Sequence, residues 1–159
     1  QDAVSRKVDD VGKTYIEVDL ARQKLWYYKD GVLQLETNVV TGNPTKGNGT
    51  PTGTDRIWSR ERDRYLTGET YRSKVSYWAP INWSGVGLHD ASWRSSFGGN
   101  IYKSGGSHGC VNIPVPVMKN LFPQTFTGMP VIVYNSATQR VNNAGGQVVV
   151  GQHPQAQGQ

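Results

Sequence analysis

The feature that most constrains the fold is an alternation of apolar and polar residues near the start of the chain. Across residues 14–20, three apolar side chains alternate with two acidic ones, and this period of two predicts a half-buried strand. Residues 24–29 and 32–41 are rich in aromatic and branched side chains, and Asp30-Gly31 joins them. Because Asp-Gly is typical of two-residue hairpin turns, the chain is predicted to open with a three-stranded antiparallel meander.

The rest of the chain predicts more short strands and little helix. Segments that are rich in glycine or charge are interpreted as loops, and an apolar run after Pro116 predicts a short helix. The strands lie at residues 55–59, 75–83, 86–89 and 130–134, the loops at 42–53, 60–74 and 97–106, and the helix at 117–122. We therefore predict a mainly β domain, a β-sandwich-like sheet with one or two short helices.

Composition divides the 159 residues into one domain and two polar ends. Residues 1–13 lack periodicity and are interpreted as a flexible N-terminal segment. Residues 14–135 contain the predicted core, and residues 136–159 form a tail rich in Gln, Gly and Asn that is interpreted as disordered or linker. A short strand at residues 148–150 is the one ordered element predicted in the tail.

The net charge of +5 favours an anionic partner. Lysine and arginine are scattered rather than clustered, so we expect no nucleic-acid binding and consider an anionic cell envelope instead. No run of eighteen apolar residues is present, so no membrane span is expected. Because the chain begins at Gln1 rather than Met, we expect it to be an excised fragment whose secretion signal or anchor has been removed.

The segment that most clearly indicates a chemical function is SHGCVN at residues 107–112, which contains the single cysteine. A thiolate is the nucleophilic form of cysteine, and an imidazole can accept the thiol proton. His108 and Cys110 are two residues apart, so an extended segment would place them on one face. Gly109 allows a tight turn, and the amides of Gly109 and Cys110 could stabilise an oxyanion. We predict Cys110 as the nucleophile on a strand- or loop-to-helix connection, with His108 as its base.

A second histidine, His89, belongs to another apolar segment and completes a Cys–His site assembled from distant parts of the chain. It could orient a substrate group or adjust the thiolate through its charge. Two alternatives stay open at this point. A lone cysteine is commonly a small buried apolar residue, and His89, His108 and Cys110 are metal-ligand types, although they lack the fourth ligand of structural zinc.

His89, a gap of seventeen residues and the SHGCVN segment together resemble the active-site signature of the L,D-transpeptidase catalytic domain. The resemblance covers about residues 14–134. It implies a β-sandwich and a cysteine enzyme that cross-links bacterial peptidoglycan stem peptides. It further implies no cofactor, acylation by carbapenem β-lactams, and a location in the bacterial cell wall or envelope.

The neighbouring polar and aromatic residues have weaker predicted roles. Ser107 is expected to orient His108 through its backbone carbonyl. Asn112 stands where many relatives have arginine, and it is predicted to contact the substrate or the loop. Tyr102 could donate a phenolic hydrogen bond, Asp90 could cap a helical turn or contact the acceptor amine, and Trp93 could line the cleft with other aromatic residues, which are Trp78, Trp83 and Tyr102.

The sequence therefore predicts acyl transfer through a thioester. The resemblance implies that Cys110 attacks the carbonyl between an L-configured third residue and a terminal D-residue, and that a second stem then supplies the amine. Two other functions stay open. Water could replace the amine, as in an L,D-carboxypeptidase, or the domain could be a non-catalytic module that binds the cell envelope.

Overall fold

Two β-sheets form the scaffold of the chain in a computed structural model that describes residues 12–68 and 71–138. The strands are β1 Tyr15–Asp19, β2 Lys24–Lys29, β3 Val32–Asn38, β4 Gly53–Arg56, β5 Glu61–Thr67, β6 Arg72–Pro80, β7 Gly87–Asp90, β8 Val111–Ile113 and β9 Pro130–Tyr134. The helices are α1 Ile101–Gly105 and α2 Val115–Leu121, and single 3₁₀ turns occur at Pro44–Lys46 and Phe122–Gln124.

The first sheet has the strand order β3-β2-β1-β9-β4, and the second has the order β5-β6-β7-β8. Strands β1 to β3 pair antiparallel, as the meander predicts, whereas β1 pairs parallel with β9. Asp30 and Gly31 both have positive φ, at 52° and 81°, which is the geometry of the tight hairpin turn that the Asp-Gly dipeptide favours.

A single apolar core lies between the sheets and accounts for most of the hydrophobic stabilisation. It is formed by branched and aromatic residues of both sheets together with the inner side of α2; its members include Ile16, Val18, Leu88, Val111, Ile113, Met118 and Val131. The prediction of a mainly β fold with two sheets and short helices is confirmed.

Strand β1 is buried on both faces, so the prediction of a half-buried strand is wrong. The acidic residues Glu17 and Asp19 are fully buried. Glu17 accepts hydrogen bonds from the hydroxyls of Tyr15 and Tyr134, at 2.9 and 3.1 Å. Alternation identified which residues share a face, but tyrosine hydroxyls from β1 itself and from the neighbouring β9 allow the polar face to be buried as well.

The loop predicted at residues 60–74 is instead most of an antiparallel hairpin formed by β5 and β6. Most β5 side chains are exposed, so the strand lacks the apolar periodicity that predicts such elements. The predicted loop at 97–106 likewise contains the short helix α1, and the strand predicted at 55–59 is displaced to β4. The tail strand predicted at 148–150 lies outside the described residues.

Strand β8 connects the second sheet to the first. It pairs parallel with β7, and an isolated bridge joins Val40 to Asn112 from the other side. Cys110 directly precedes β8, so a three-residue strand that the sequence did not predict separates the cysteine from α2. In the part of the chain that the structure describes, none of the helices is long and apolar enough to cross a membrane.

Candidate active site

A cavity of about 580 Å³ opens where the β5–β6 hairpin, the β6–β7 turn and the segment before β8 meet. The sequence-predicted site residues that line it are Cys110, His108, His89, Ser107, Asn112, Trp78 and Trp93. The structure thus brings the two histidines and the cysteine to one enclosed space, although His89 arrives on a different strand from the other two. Such a cavity with convergent polar groups is the usual form of a small-molecule or peptide site.

The Cys110 side chain lies against the β6–β7 turn. Its thiol donates a hydrogen bond to the Gly85 carbonyl at an S–O distance of 3.4 Å. Burial raises the pKa of the Cys110 thiol from 9.0 to about 11, and the Gly87 N–H opposes this by stabilising the thiolate. The thiol is therefore protonated at neutral pH and requires a base before it can act as a nucleophile.

His89 is buried and held in one orientation. Its Nδ1 lies 2.6 Å from the backbone carbonyl of Asp90, and because a carbonyl can only accept, Nδ1 must carry the proton and leave the Nε2 lone pair free. The rings of Trp78 and Trp93 flank the imidazole, each with its centroid 5.9 Å away. Burial lowers the pKa of His89, and the nearby Arg94 charge acts in the same direction against the opposing effect of Asp90.

His108 is exposed and stacks on an aromatic residue that the sequence analysis missed. Its ring centroid is 4.1 Å from that of Tyr71, with 21° between the planes. Tyr71 belongs to the predicted loop at 60–74 and lies directly before strand β6, and it also lines the cavity. Burial raises the pKa of the Tyr71 hydroxyl, and the negative charge of a Cys110 thiolate acts in the same direction. A lone tyrosine in a polar segment gave no sequence signal of this role.

Ser107 fixes the turn that contains Cys110. Its Oγ donates to the Cys110 carbonyl at 2.5 Å and accepts from the Gly109 N–H at 3.2 Å. The Ser107 carbonyl accepts from the Asn43 N–H at 2.9 Å. The expected contact between that carbonyl and His108 is not formed, because the carbonyl faces the 42–50 loop while His108 turns outward to Tyr71.

The 42–50 loop supports the same turn from behind. Thr50 Oγ1 donates to the Gly109 carbonyl at 2.6 Å and accepts from the Gly42 N–H at 2.9 Å. Gly109 has a φ of 135°, a region that favours glycine. A Cβ at Gly42 would lie 1.8 Å from the Asn48 carbonyl oxygen, so only glycine fits there. Composition identified the loop, but not that it packs against the cysteine.

The two amides predicted for the oxyanion site differ in their availability. The Gly109 N–H is directed to Ser107 Oγ, whereas the backbone hydrogen bonds of the described turns and loops do not use the Cys110 N–H. The Cys110 amide is therefore the better placed of the two donors to meet developing negative charge next to the sulfur.

Asn112 is buried in the cavity wall, with its backbone bonded to Val40 at 2.8 and 3.0 Å. Its side-chain Oδ1 has no hydrogen-bond partner among the described residues. A buried acceptor without a partner is costly, so this amide is available for a hydrogen bond with a substrate N–H.

Asp90 and Tyr102 do not reach the cavity. Asp90 is 3% exposed and belongs to β7, so the predicted helix cap is wrong. Its carboxylate accepts from the backbone N–H groups of Ser76 and Tyr77 at 2.8–3.1 Å, which leaves it no role in substrate contact. Tyr102 lies on α1 beneath the Lys103 ammonium. Trp83 is 92% exposed and packs on Trp58 outside the cavity.

The family is identified by a sequence match that spans this whole arrangement. The model of the L,D-transpeptidase catalytic domain matches residues 13–133, which include both sheets and the cavity. The chain belongs to the L,D-transpeptidase catalytic domain family. No curated protein sequence matches it.

Solved structures similar to this L,D-transpeptidase domain agree with the assignment. An Enterococcus faecium L,D-transpeptidase with a cysteine-to-serine substitution is 48% identical, with a TM-score of 0.74 over 77% of the chain and 50% of that protein. An avibactam carbamoyl enzyme is also 48% identical, with a TM-score of 0.75 over 79% of the chain and 50% of that protein. The E. faecium catalytic domain acylated by ertapenem is 49% identical, with a TM-score of 0.69 over 77% of the chain and 97% of that domain. The chain thus spans about half the length of the first two relatives.

The electrostatic character of the cavity is positive. Among the residues that the structure describes, the charged side chains that line it are those of Arg64 and Arg94, and none of the lining side chains is acidic. Within residues 12–68 and 71–138, no three His, Cys, Asp or Glu side chains gather as possible metal ligands. The alternative of a metal site at His89, His108 and Cys110 therefore gains no support, and the arrangement fits acyl transfer by a thiol.

Proposed function

We propose that this domain is a cysteine acyltransferase that cross-links peptidoglycan stem peptides. The observation that carries the proposal is the convergence of the Cys110 thiol with a buried imidazole of fixed tautomer in one cavity. The Asp90 carbonyl orients His89, and His89 faces the cavity that contains Cys110, which is the nucleophile–base–orienter arrangement of covalent catalysis.

The first half-reaction forms a thioester. The thiol proton passes to His89 Nε2 as the sulfur attacks the carbonyl between the third residue and the terminal D-residue of the donor stem. The Cys110 N–H stabilises the resulting oxyanion. His89 then returns the proton to the leaving amine, the C–N bond breaks, and the D-residue departs while the acyl group stays on sulfur.

The second half-reaction reverses these proton movements. An amine of another stem attacks the thioester and gives its proton to His89, and the oxyanion collapses with cleavage of the C–S bond. The proton returns to sulfur, so the thiol is regenerated and a cross-link is formed. The unpartnered Asn112 amide is available to bind a stem N–H during both steps.

The contacts of the two histidines favour a division of roles opposite to the one that the sequence predicts. His89 has a fixed orientation, a free Nε2 and a lowered pKa, all of which suit a general base at neutral pH. His108 is exposed and stacked on Tyr71. We assign His108 to the wall of the substrate cleft, where it positions the β5–β6 hairpin over the thiol.

Two relatives support a proposal about inhibition. The E. faecium catalytic domain was observed acylated by ertapenem, and a second relative carries an avibactam carbamoyl group. We extend this to the present domain and propose that carbapenems acylate Cys110. We also propose that it acts in the bacterial cell wall outside the cytoplasm, where its stem-peptide substrates are found.

Product analysis tests the proposed reaction. The domain is incubated with a tetrapeptide stem, with and without a second stem as acceptor, and the products are separated by mass. The proposal predicts a cross-linked product that requires the acceptor and is absent in Cys110→Ala. If hydrolysis predominates at saturating acceptor, the domain is a carboxypeptidase. If no product forms and envelope binding survives in Cys110→Ala, it is a binding module.

A further inference from the structure

We infer that Arg94 forms a carboxylate-binding subsite of the active-site cavity, which recognises the free α-carboxylate of the donor's terminal D-residue. The inference rests on the proposed function and specifies how that function selects its donor. It concerns a residue outside the SHGCVN segment that the sequence analysis did not single out.

The first observation is an unpartnered guanidinium in the wall of the cavity. Arg94 is half-buried and lines the cavity, and its Nε is buried without a hydrogen-bond partner among the described residues. Its backbone is held, because the Arg94 N–H donates to the Ala91 carbonyl at 3.2 Å in the turn after β7. The backbone of Arg94 is therefore fixed by the turn, whereas its guanidinium contacts no anion among the described residues.

The second observation is the contrast with the other cationic group of the cavity. Arg64 is paired with Glu61, whereas the salt bridges of the described residues do not include Arg94. Burial lowers the pKa of the Arg94 guanidinium, yet arginine stays protonated in proteins. A partly buried cation without a counter-charge is unfavourable, so the missing partner of Arg94 is an anion supplied by the ligand.

The planar guanidinium fork matches a carboxylate in shape as well as charge. The donor stem has such a group one residue beyond the scissile bond. In the terminal D-residue, the leaving amine and the α-carboxylate are attached to the same carbon. His89, which protonates that amine, and Arg94 flank the single turn after β7, and the Arg94 charge is near enough to His89 to lower the imidazole pKa. One D-residue can therefore meet both groups.

The experiment compares two donors that differ only at the carboxyl terminus. One is the tetrapeptide stem with its free carboxylate, and the other is the same peptide with a terminal carboxamide. Acyl-enzyme formation is followed by intact-protein mass in the wild type, in Arg94→Gln and in Arg64→Gln. The Arg64 variant is the matched control, because it removes the same charge from the same cavity.

The wild type is expected to use the carboxylate donor at least about tenfold better in kcat/KM than the carboxamide. Arg94→Gln should lower the carboxylate rate by about tenfold or more and change the carboxamide rate by less than about threefold. The carboxamide rate also reports whether the variant is folded and active. Arg64→Gln should retain the wild-type preference.

Three results would overturn the inference. These are equal use of both donors by the wild type, an equal loss of both rates in Arg94→Gln, or a loss of the preference in Arg64→Gln to the same extent as in Arg94→Gln. In each case an acyl-enzyme still forms, so the proposed function stands. If the wild type forms no acyl-enzyme from either donor, the proposed function fails first and this inference fails with it.

Discussion

At the scale of single residues, burial sets the protonation of the two reacting groups. It raises the pKa of the Cys110 thiol to about 11 and lowers that of His89. At neutral pH the pair is therefore a thiol and a neutral imidazole rather than a thiolate–imidazolium ion pair. In the mechanism that we propose, the nucleophile is formed during attack, when the proton moves to His89.

Alkylation of the free enzyme by iodoacetamide tests this assignment. Because only the thiolate reacts, the rate should be low at pH 7 and rise with pH through a pKa of about 11. The rate of Cys110 modification is measured by intact-protein mass across the pH range in which the fold is intact. A rate that already reaches its plateau below pH 8 would indicate a preformed ion pair and contradict the assignment.

The pH dependence of acylation should show the base. A general base must be deprotonated, and a lowered pKa moves the loss of activity to lower pH. The kcat/KM for the donor should therefore fall only as the pH decreases below the ordinary histidine value of 6.5. Measuring kcat/KM from pH 4.5 to pH 8 locates this decrease. If the midpoint of the decrease in kcat/KM lies above pH 6.5, another group is the base.

Substitution of the two histidines separates their roles. We expect His89→Ala to lower the acylation rate by a factor of about 10²–10⁴, as is typical when a general base is lost. His108→Ala loses the stacking contact with Tyr71 and should have a smaller effect, mainly on KM. The single-turnover acylation rates of the two variants distinguish these assignments. A larger loss of rate in His108→Ala would restore the roles that the sequence predicts.

At the scale of elements, the Thr50 hydroxyl of the 42–50 loop helps to hold the turn that contains Cys110. Thr50→Val keeps the shape of the side chain but leaves the Gly109 carbonyl and the Gly42 N–H without their partner. The unfolding free energy should fall by about 2–4 kcal/mol, because both groups are buried polar atoms. Acylation should slow as well, since the turn is no longer fixed.

Thr50→Ser is the control for this prediction, because it retains the hydroxyl and removes a methyl group. Urea unfolding and single-turnover acylation are measured for both variants. If the valine variant is as stable and as active as the serine variant, the loop does not support the turn through Thr50.

The elements that the sequence predicted correctly are those whose pattern is local. Alternation and the Asp-Gly turn were sufficient for β1 to β3. Strand β5 was missed because its exposed, charged side chains show no apolar period. The spacing of His89 and Cys110 likewise identified two residues that line one cavity, whereas the contacts of Asp90, Tyr71 and Arg94 depend on which strands pack together. Such contacts between distant segments are not encoded in any local pattern.

At the scale of the whole molecule, the site lies where the two sheets meet. Strand β8 pairs with β7 in the second sheet and is bridged to Val40 beyond the end of β3. The proposed base on β7 and the proposed nucleophile before β8 are therefore fixed by the same framework that closes the core. The domain boundaries at residues 14 and 135 stay a prediction. The family match to residues 13–133 supports their use as the ends of an expressed catalytic domain.

The central claim is that Cys110 carries the donor as a thioester. The most direct test is the intact mass of the protein after brief mixing with the tetrapeptide stem. We predict an increase equal to the stem minus its terminal D-residue, located at Cys110 by peptide mapping, lost on addition of an acceptor amine, and absent in Cys110→Ala. Product formation without this adduct, or an adduct that persists in Cys110→Ala, would contradict the account.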